Sequence, residues 1–378
     1  MRITAMLRIS TTALVLGAAA LSAAHGAEEP KPISIAPSNL QTGLSPSDIK
    51  QVQTHVQYWI SELAAAARAG RIYSSREGLL ADYNKYGNSL RYKVEFARGV
   101  AELVPGVMSK LTKADRLKSQ KEINLALAIS KMPQQTAIAA LDTLVQHDNP
   151  SVRFLAWQGF NGVRNDAIRT GGSGARTLAA ALSRHAGGES SPLVAAVIVD
   201  VLHIKKSELT GNTFKRAFEN NFKTLVAMQK TSCSRLAAGD ADWARPCLAA
   251  VDMLEDASEF FKPDSTVATI ILQQLIDIAQ AGAKAYEAAG GVGTGAFQCT
   301  PLLLQVEPLI ASLSSNTDIK DIRNSLLDRK KSAAEKISAI PLAVLDWVAR
   351  LEDLGVKTPV FKPIKAPAPT TQPAKPAV

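Results

Sequence analysis

The sequence predicts an all-α protein, and three observations carry that expectation. Apolar residues recur three and four positions apart through most of residues 45–353, the period of a helix with one buried face. Gly, Pro, Asn or Ser breaks this pattern roughly every 12 to 20 residues, as helix ends do. No stretch alternates apolar and polar residues with β-branched enrichment over the length of a strand. The expected architecture is a set of antiparallel helical hairpins stacked as an irregular α-solenoid-like array, flanked by disordered ends.

Residues 1–26 read as a signal peptide. Arg2 and Arg8 precede an apolar run from Thr11 to Ala20, and small residues lead to cleavage after Gly26, with Ala24 at the −3 position. The apolar run is shorter than the roughly 20 residues that span a bilayer. No later segment is long and uncharged enough to do so. The expected location is therefore the periplasm or the extracellular space. Residues 27–44 carry three prolines and read as a linker.

An N-terminal helical region is expected over 45–133. Its first helix opens at Ser45-Pro46-Ser47-Asp48, where Ser45 caps free amides, Pro46 suits the first helical position and Asp48 reaches back as in a capping box. Ile49, Val52, Val56, Trp59, Ile60 and Leu63 follow at helical spacing, and Gly70 is the expected end. Further helices are expected near 76–86, 89–104, 120–131, 134–147, 151–163, 174–186, 191–204, 212–230, 241–257, 264–289, 300–313, 317–337 and 340–353. A C-terminal helical region fills 205–355. Residues 356–378 hold six prolines and four lysines among small residues, a composition that cannot bury enough apolar surface to fold.

Internal repetition appears in 134–204. Residues 137–160 read AIAALDTLVQHDNPSVRFLAWQGF: an apolar-faced helix, an Asp148-Asn149-Pro150 turn, and a second helix opening with Val152-Arg153. A second unit follows, with Leu178 and Leu182 ahead of Ser191-Pro192-Leu193-Val194. Pro150 and Pro192 lie 42 positions apart by their numbering, within the roughly 40–47 of HEAT and armadillo repeats. This segment resembles a HEAT repeat, down to the Asp, the Pro and the Val-Arg pair. The second unit departs from the pattern, with Ala195 in place of the Arg. The resemblance implies a structural role for these residues, with Asp148 and Arg153 pairing near the turn, and an extended surface for recognition.

The charge excludes one class of partner. Of 43 basic residues, two lie in the signal peptide and four in the tail, leaving 37 against 34 acidic. That near balance gives no nucleic-acid footprint. The basic tail can touch an anionic surface weakly through Coulomb attraction.

Enzymatic motifs fail on named residues. His55, His147, His185 and His203 have no zinc-binding spacing and read as surface or helix-end residues, so no metal or cofactor is expected. Gly171-Gly172-Ser173-Gly174 approaches a nucleophile elbow but follows a helix, and reads as a loop in which Ser173 caps the next helix. Ser47-Asp48-Ile49-Lys50 lacks its companion motifs. Gly290-Gly291-Val292-Gly293-Thr294-Gly295 lacks the Lys-Ser/Thr of a phosphate loop and reads as an inter-helix loop. Among Cys233, Cys247 and Cys299, the first two are a candidate disulfide, and buried free thiols are the alternative.

One cluster suits recognition. Tyr58, Trp59, Tyr73, Tyr83, Tyr86 and Tyr92 fall within 35 residues, interleaved with Arg71, Arg76 and Arg91. Aromatic faces with guanidinium groups can bind a peptide, a carbohydrate or an anionic polymer. The same rings can instead close the end of a helical stack. The functional expectation is a non-enzymatic exported scaffold that presents a surface to a protein or a cell-envelope polymer. The alternative is an all-helical envelope enzyme using acids such as Glu62 or Glu95.

Overall fold

The computed structural model describes residues 28–205, 207–208, 211–260, 265–314, 321–352 and 356. The signal peptide and the Pro/Lys-rich segment 357–378 lie outside these residues. The described residues form fifteen α-helices and no strand, which establishes the all-α class. No described helix is long and apolar enough to cross a membrane. The chain divides into two compact units, Met1–Val163 and Arg164–Val378, and the division falls inside one helix.

The first unit contains α1 (Pro37–Thr42), α2 (Pro46–Ala65), α3 (Ala69–Asn84), α4 (Leu90–Lys110), α5 (Lys118–Ser130), α6 (Ile138–Leu144) and the first part of α7 (Pro150–Thr170). The capping box predicted for α2 is present: Asp48 N–H donates to Ser45 Oγ at 3.2 Å, and Ser45 N–H to Asp48 Oδ2 at 2.9 Å. Gly70, however, does not end this helix. It lies in the first turn of α3, because α3 buries Ile72, Ser75, Leu79 and Tyr83, and that packing overrides a local breaker. α4 likewise runs past its expected end through Pro105, since Val107 and Met108 still have core to fill.

The expected linker is a docked strap. Ile33 and Ile35 are buried. Ser34 N–H donates to Gln51 Oε1 at 3.2 Å, Ile35 N–H to Tyr86 Oη at 3.1 Å, and Lys85 Nζ to Ile33 O at 2.6 Å. Extended backbone that cannot bond to itself is thus satisfied by side chains of α2 and of the turn that follows α3.

The second unit contains α8 (Gly172–His185), α9 (Pro192–Leu202), α10 (Gly211–Ala237), α11 (Ala244–Phe260), α12 (Ser265–Ala288), α13 (Gly293–Ser314), α14 (Ile322–Leu327) and α15 (Ala333–Glu352). α12 is its centre, packing on α10, α11, α13 and α15. Gly171 and Gly172 have φ of 68° and 72°, so glycine makes the turn into α8. The Gly171 N-cap makes no side-chain bond, and Ser173 sits inside the first turn rather than capping it. The glycine run at 290–295 is shorter as a loop than its composition suggests, since Gly293 already begins α13. One helix was expected over 317–337; the described residues give α14 and α15 instead, separated by 328–332. Ser332 and Glu335 start α15 as a capping box, with Glu335 N–H to Ser332 Oγ at 3.3 Å and Ser332 N–H to Glu335 Oε2 at 2.6 Å. α15 then continues through Pro341.

Candidate functional site

In the first unit the aromatic cluster divides into core and surface. Tyr92 and Tyr83 are buried against Phe96, Tyr83 edge-on and Tyr92 tilted, which removes both from the expected recognition surface. Burial raises the Tyr92 phenol far above its usual range, and its hydroxyl donates to Asp82 O at 2.7 Å. Tyr86 is spent on the strap, where its hydroxyl also lies 3.2 Å from Ile33 O. Tyr58 and Trp59 are half-buried and stack on each other. Arg71 is paired to Glu62 and Arg91 is exposed beside Gly43. Arg76 lies 4.5 Å from the Tyr73 ring centre and bonds Asn124 at 2.7 Å. Tyr73, at 59% exposure, is the ring of the set most open to solvent. The cluster mainly closes the helical stack.

His55 is buried, against the expectation of a surface position. Its Nδ1 lies 2.8 Å from Asp82 Oδ2 and its Nε2 lies 2.7 Å from Lys31 O, while Trp59 Nε1 donates to the same Asp82 oxygen at 2.7 Å. Carbonyl and carboxylate oxygens only accept, so each ring nitrogen faces an acceptor. This His–Asp pair holds the strap to α2 and α3, and leaves neither nitrogen to serve a substrate. The acids named for the enzymatic alternative are also engaged, Glu62 with Arg71 and Glu95 with Arg98 at 2.7 Å. Among the described residues no group of three metal-ligating side chains converges. Arg153 donates at 2.9 Å to the backbone carbonyls of His147 and Asp148.

The second unit holds a half-open groove of about 350 Å³ between α8 and α10. That volume is at the lower end of ligand-sized pockets. Its α8 side is aliphatic: Leu178 and Leu182 one turn apart, Ala175 and Ala179 beside them, and Ile168 and Val201 closing the end. Its α10 side is polar, with Asn212, Thr213, Arg216 and Asn220. Among the described residues lining it there is no carboxylate, imidazole or thiol. Amides, a hydroxyl and a guanidinium hold a ligand by hydrogen bonds; they do not activate one.

Arg164 fixes the end of this groove. It is buried, donates to Asp200 O and to Val201 O (3.2 Å), and pairs with Glu208 at 2.7 Å. The free carbonyls at the end of α9 are thereby satisfied. Arg216, Lys223 and Lys230 project from α10 as exposed cations with no acidic partner within 4 Å among the described residues. Glu219 is the single acid on that helix, against Lys215, Arg216, Lys223, Lys230 and Arg235. α11 has the opposite sign, with Asp252, Glu255, Asp256 and Glu259 against Arg245. The near balance of the whole chain therefore conceals a segregated field, with positive charge on the groove's polar wall.

No family model, curated protein or solved structure matches this chain.

Proposed function

We propose that the protein is an exported, non-enzymatic helical binding protein that presents the α8/α10 groove to an acidic protein or cell-envelope polymer. The observation that carries this reading is the groove itself, an aliphatic wall facing a wall of amides, a hydroxyl and the exposed Arg216. Such a wall attracts anions over several ångströms and holds them by charge-assisted bonds. The HEAT-like pattern of 134–204 supports the same reading, because repeat hairpins expose extended surfaces suited to recognition. The signal-like N-terminus supports an envelope or extracellular setting. Engagement of His55, Glu62 and Glu95 in structural bonds weighs against the enzymatic alternative.

Site-specific photo-crosslinking in the producing cell tests this. A benzoylphenylalanine at Ala179 should trap one discrete partner, and the same probe at Asp242, on another surface, should not. No adduct at Ala179, together with hydrolysis of a cell-wall polymer by the purified protein, would sink the reading.

A further inference from the structure

We propose that the strap is a proton-operated latch: the His55 ring holds it at Lys31 as an imidazolium, and loss of one ring proton frees that end. The latch lies wholly in the first unit and is independent of the α8/α10 groove.

Both ring nitrogens meet atoms that do not donate. Nε2 lies 2.7 Å from Lys31 O, a backbone carbonyl. Nδ1 lies 2.8 Å from Asp82 Oδ2, which also accepts the Trp59 Nε1–H at 2.7 Å. An oxygen that takes two donors is the oxygen of an ionised carboxylate, so the proton between it and Nδ1 belongs to the ring. Two such bonds need two ring protons, and a neutral imidazole has one. Whichever nitrogen lost its proton would turn a lone pair onto an oxygen at hydrogen-bond distance. Asp82 is charged and is therefore the stronger acceptor. The neutral ring keeps Nδ1–H for it, and the bond that breaks is the one to the strap.

That bond sits where release can spread. Lys31 precedes Pro32, which has no N–H to offer. The next bonds along the strap are those of Ile33 O to Lys85 and Tyr86, Ser34 N–H to Gln51 and Ile35 N–H to Tyr86. Freed at Lys31, the strap opens toward these from its end, as weakly held segments do. Other charged or titratable groups on the surrounding elements are engaged elsewhere. Asp48 of α2 bonds Ser45 and Asn39, Lys85 bonds Ile33 O, and Tyr92 of α4 bonds Asp82 O. Glu95 of α4 pairs with Arg98, and Lys121 of α5 with Asp115. On the strap itself Glu28, Glu29 and Lys31 are exposed. The docked strap thus holds one more proton than the freed strap, so low pH favours docking and rising pH favours release. Histidine changes charge between about pH 5 and 8.

NMR of the full chain, nitrogen-15-labelled at histidine, tests the latch, with hydrogen exchange at the Ser34 and Ile35 amides followed in parallel. At about pH 5 both His55 nitrogens should carry protons, and by about pH 8 Nε2 should have lost its own. Over that interval protection of the two amides, corrected for the pH dependence of intrinsic exchange, should fall about tenfold, as for one lost charge-assisted bond. His55→Gln cannot take a charge, so its protection should stay constant with pH, with circular dichroism reporting that it is folded. Equal falls in the wild type and the folded variant would overturn the latch. Two wild-type results would also overturn it without any variant: a singly protonated His55 at about pH 5 with the strap amides protected, or a ring that titrates while their protection stays constant.

Discussion

Glu307 lies where α13 meets the start of α14, half-buried beside Asp321, and accepts the Arg323 N–H at 2.9 Å. Burial pushes its carboxyl up to about 7; the Arg323 N–H opposes this and the Asp321 carboxylate adds to it. The folded state therefore keeps a proton that the unfolded chain releases near 4.5. Stability from this group is full below about pH 4.5 and is lost as pH rises through about 7. A shift of that size has a ceiling of about 3 kcal/mol, and partial solvent access reduces the expected effect to about 1–2 kcal/mol. Glu307→Gln keeps an acceptor for Arg323 and removes the titration. Urea unfolding at pH 5 and pH 8 should show the wild type losing about that much more stability over the interval than the variant. Parallel losses would refute the assignment. Asp277, raised by burial to about 6, contributes to both proteins and cancels in the difference.

Helix ends followed short-range chemistry wherever that chemistry was local. Ser45-x-x-Asp48 predicted the start of α2, and Ser332-x-x-Glu335 carries the same signal for α15, overlooked within a longer apolar pattern. Ends decided by packing were not readable. Gly70, Pro105 and Pro341 all lie inside helices because buried neighbours outweigh a local breaker. Gly78 shows the cost of such packing. A Cβ there would fall 2.6 Å from the Trp59 ring. Gly78→Ala gains about 1 kcal/mol of helix propensity, but it displaces the indole that bonds Asp82, an overpacking cost of about 1–3 kcal/mol. The expected result is a net loss of stability with altered tryptophan fluorescence; a more stable variant with an unchanged spectrum would contradict it. The cysteines belong to the same level. Gln229 Nε2 donates at 3.4 Å to both Cys233 and Cys247, and all three cysteines are buried free thiols in this structure. The neighbouring Cys247 thiol and burial raise the Cys233 thiol, and burial raises Cys299 to about 12. In protein recovered from an oxidising compartment, Cys233–Cys247 should form a disulfide worth about 3 kcal/mol in the loop-entropy account. Alkylation of the denatured, unreduced chain should then label Cys299 alone; three labelled cysteines would reject the pairing.

Composition averaged over the whole chain hid the feature that matters most for recognition. A small excess of positive charge over the body looked ordinary, because acidic α11 offsets basic α10 in any total. Summing charge by predicted helix would have revealed the segregation; placing Arg216 opposite Leu178 required the fold. The tyrosine cluster could be read two ways for a related reason, since ring-rich sequence describes a core and a binding face equally well. The strap was also partly visible, as Ile33 and Ile35 flank Ser34 and so share one face of an extended segment, although three nearby prolines suggested a linker. The place where the two units divide was not legible, because it falls within α7, inside the HEAT-like segment. Periodicity marks helices and does not mark where cores end. Val152, Trp157, Phe160 and Val163 of α7 are fully or almost fully buried and precede the division. A first unit cut before α7 would lack these side chains, and losing Trp or Phe from a core costs about 3–5 kcal/mol each. A fragment spanning 28–170, which keeps α7 whole, should therefore unfold in urea with a steep cooperative transition. A fragment spanning 28–149 should show a shallow transition and reduced helicity by circular dichroism. Equal cooperativity in the two would mean that α7 is dispensable to the first core, and the division would have to be redrawn before Pro150.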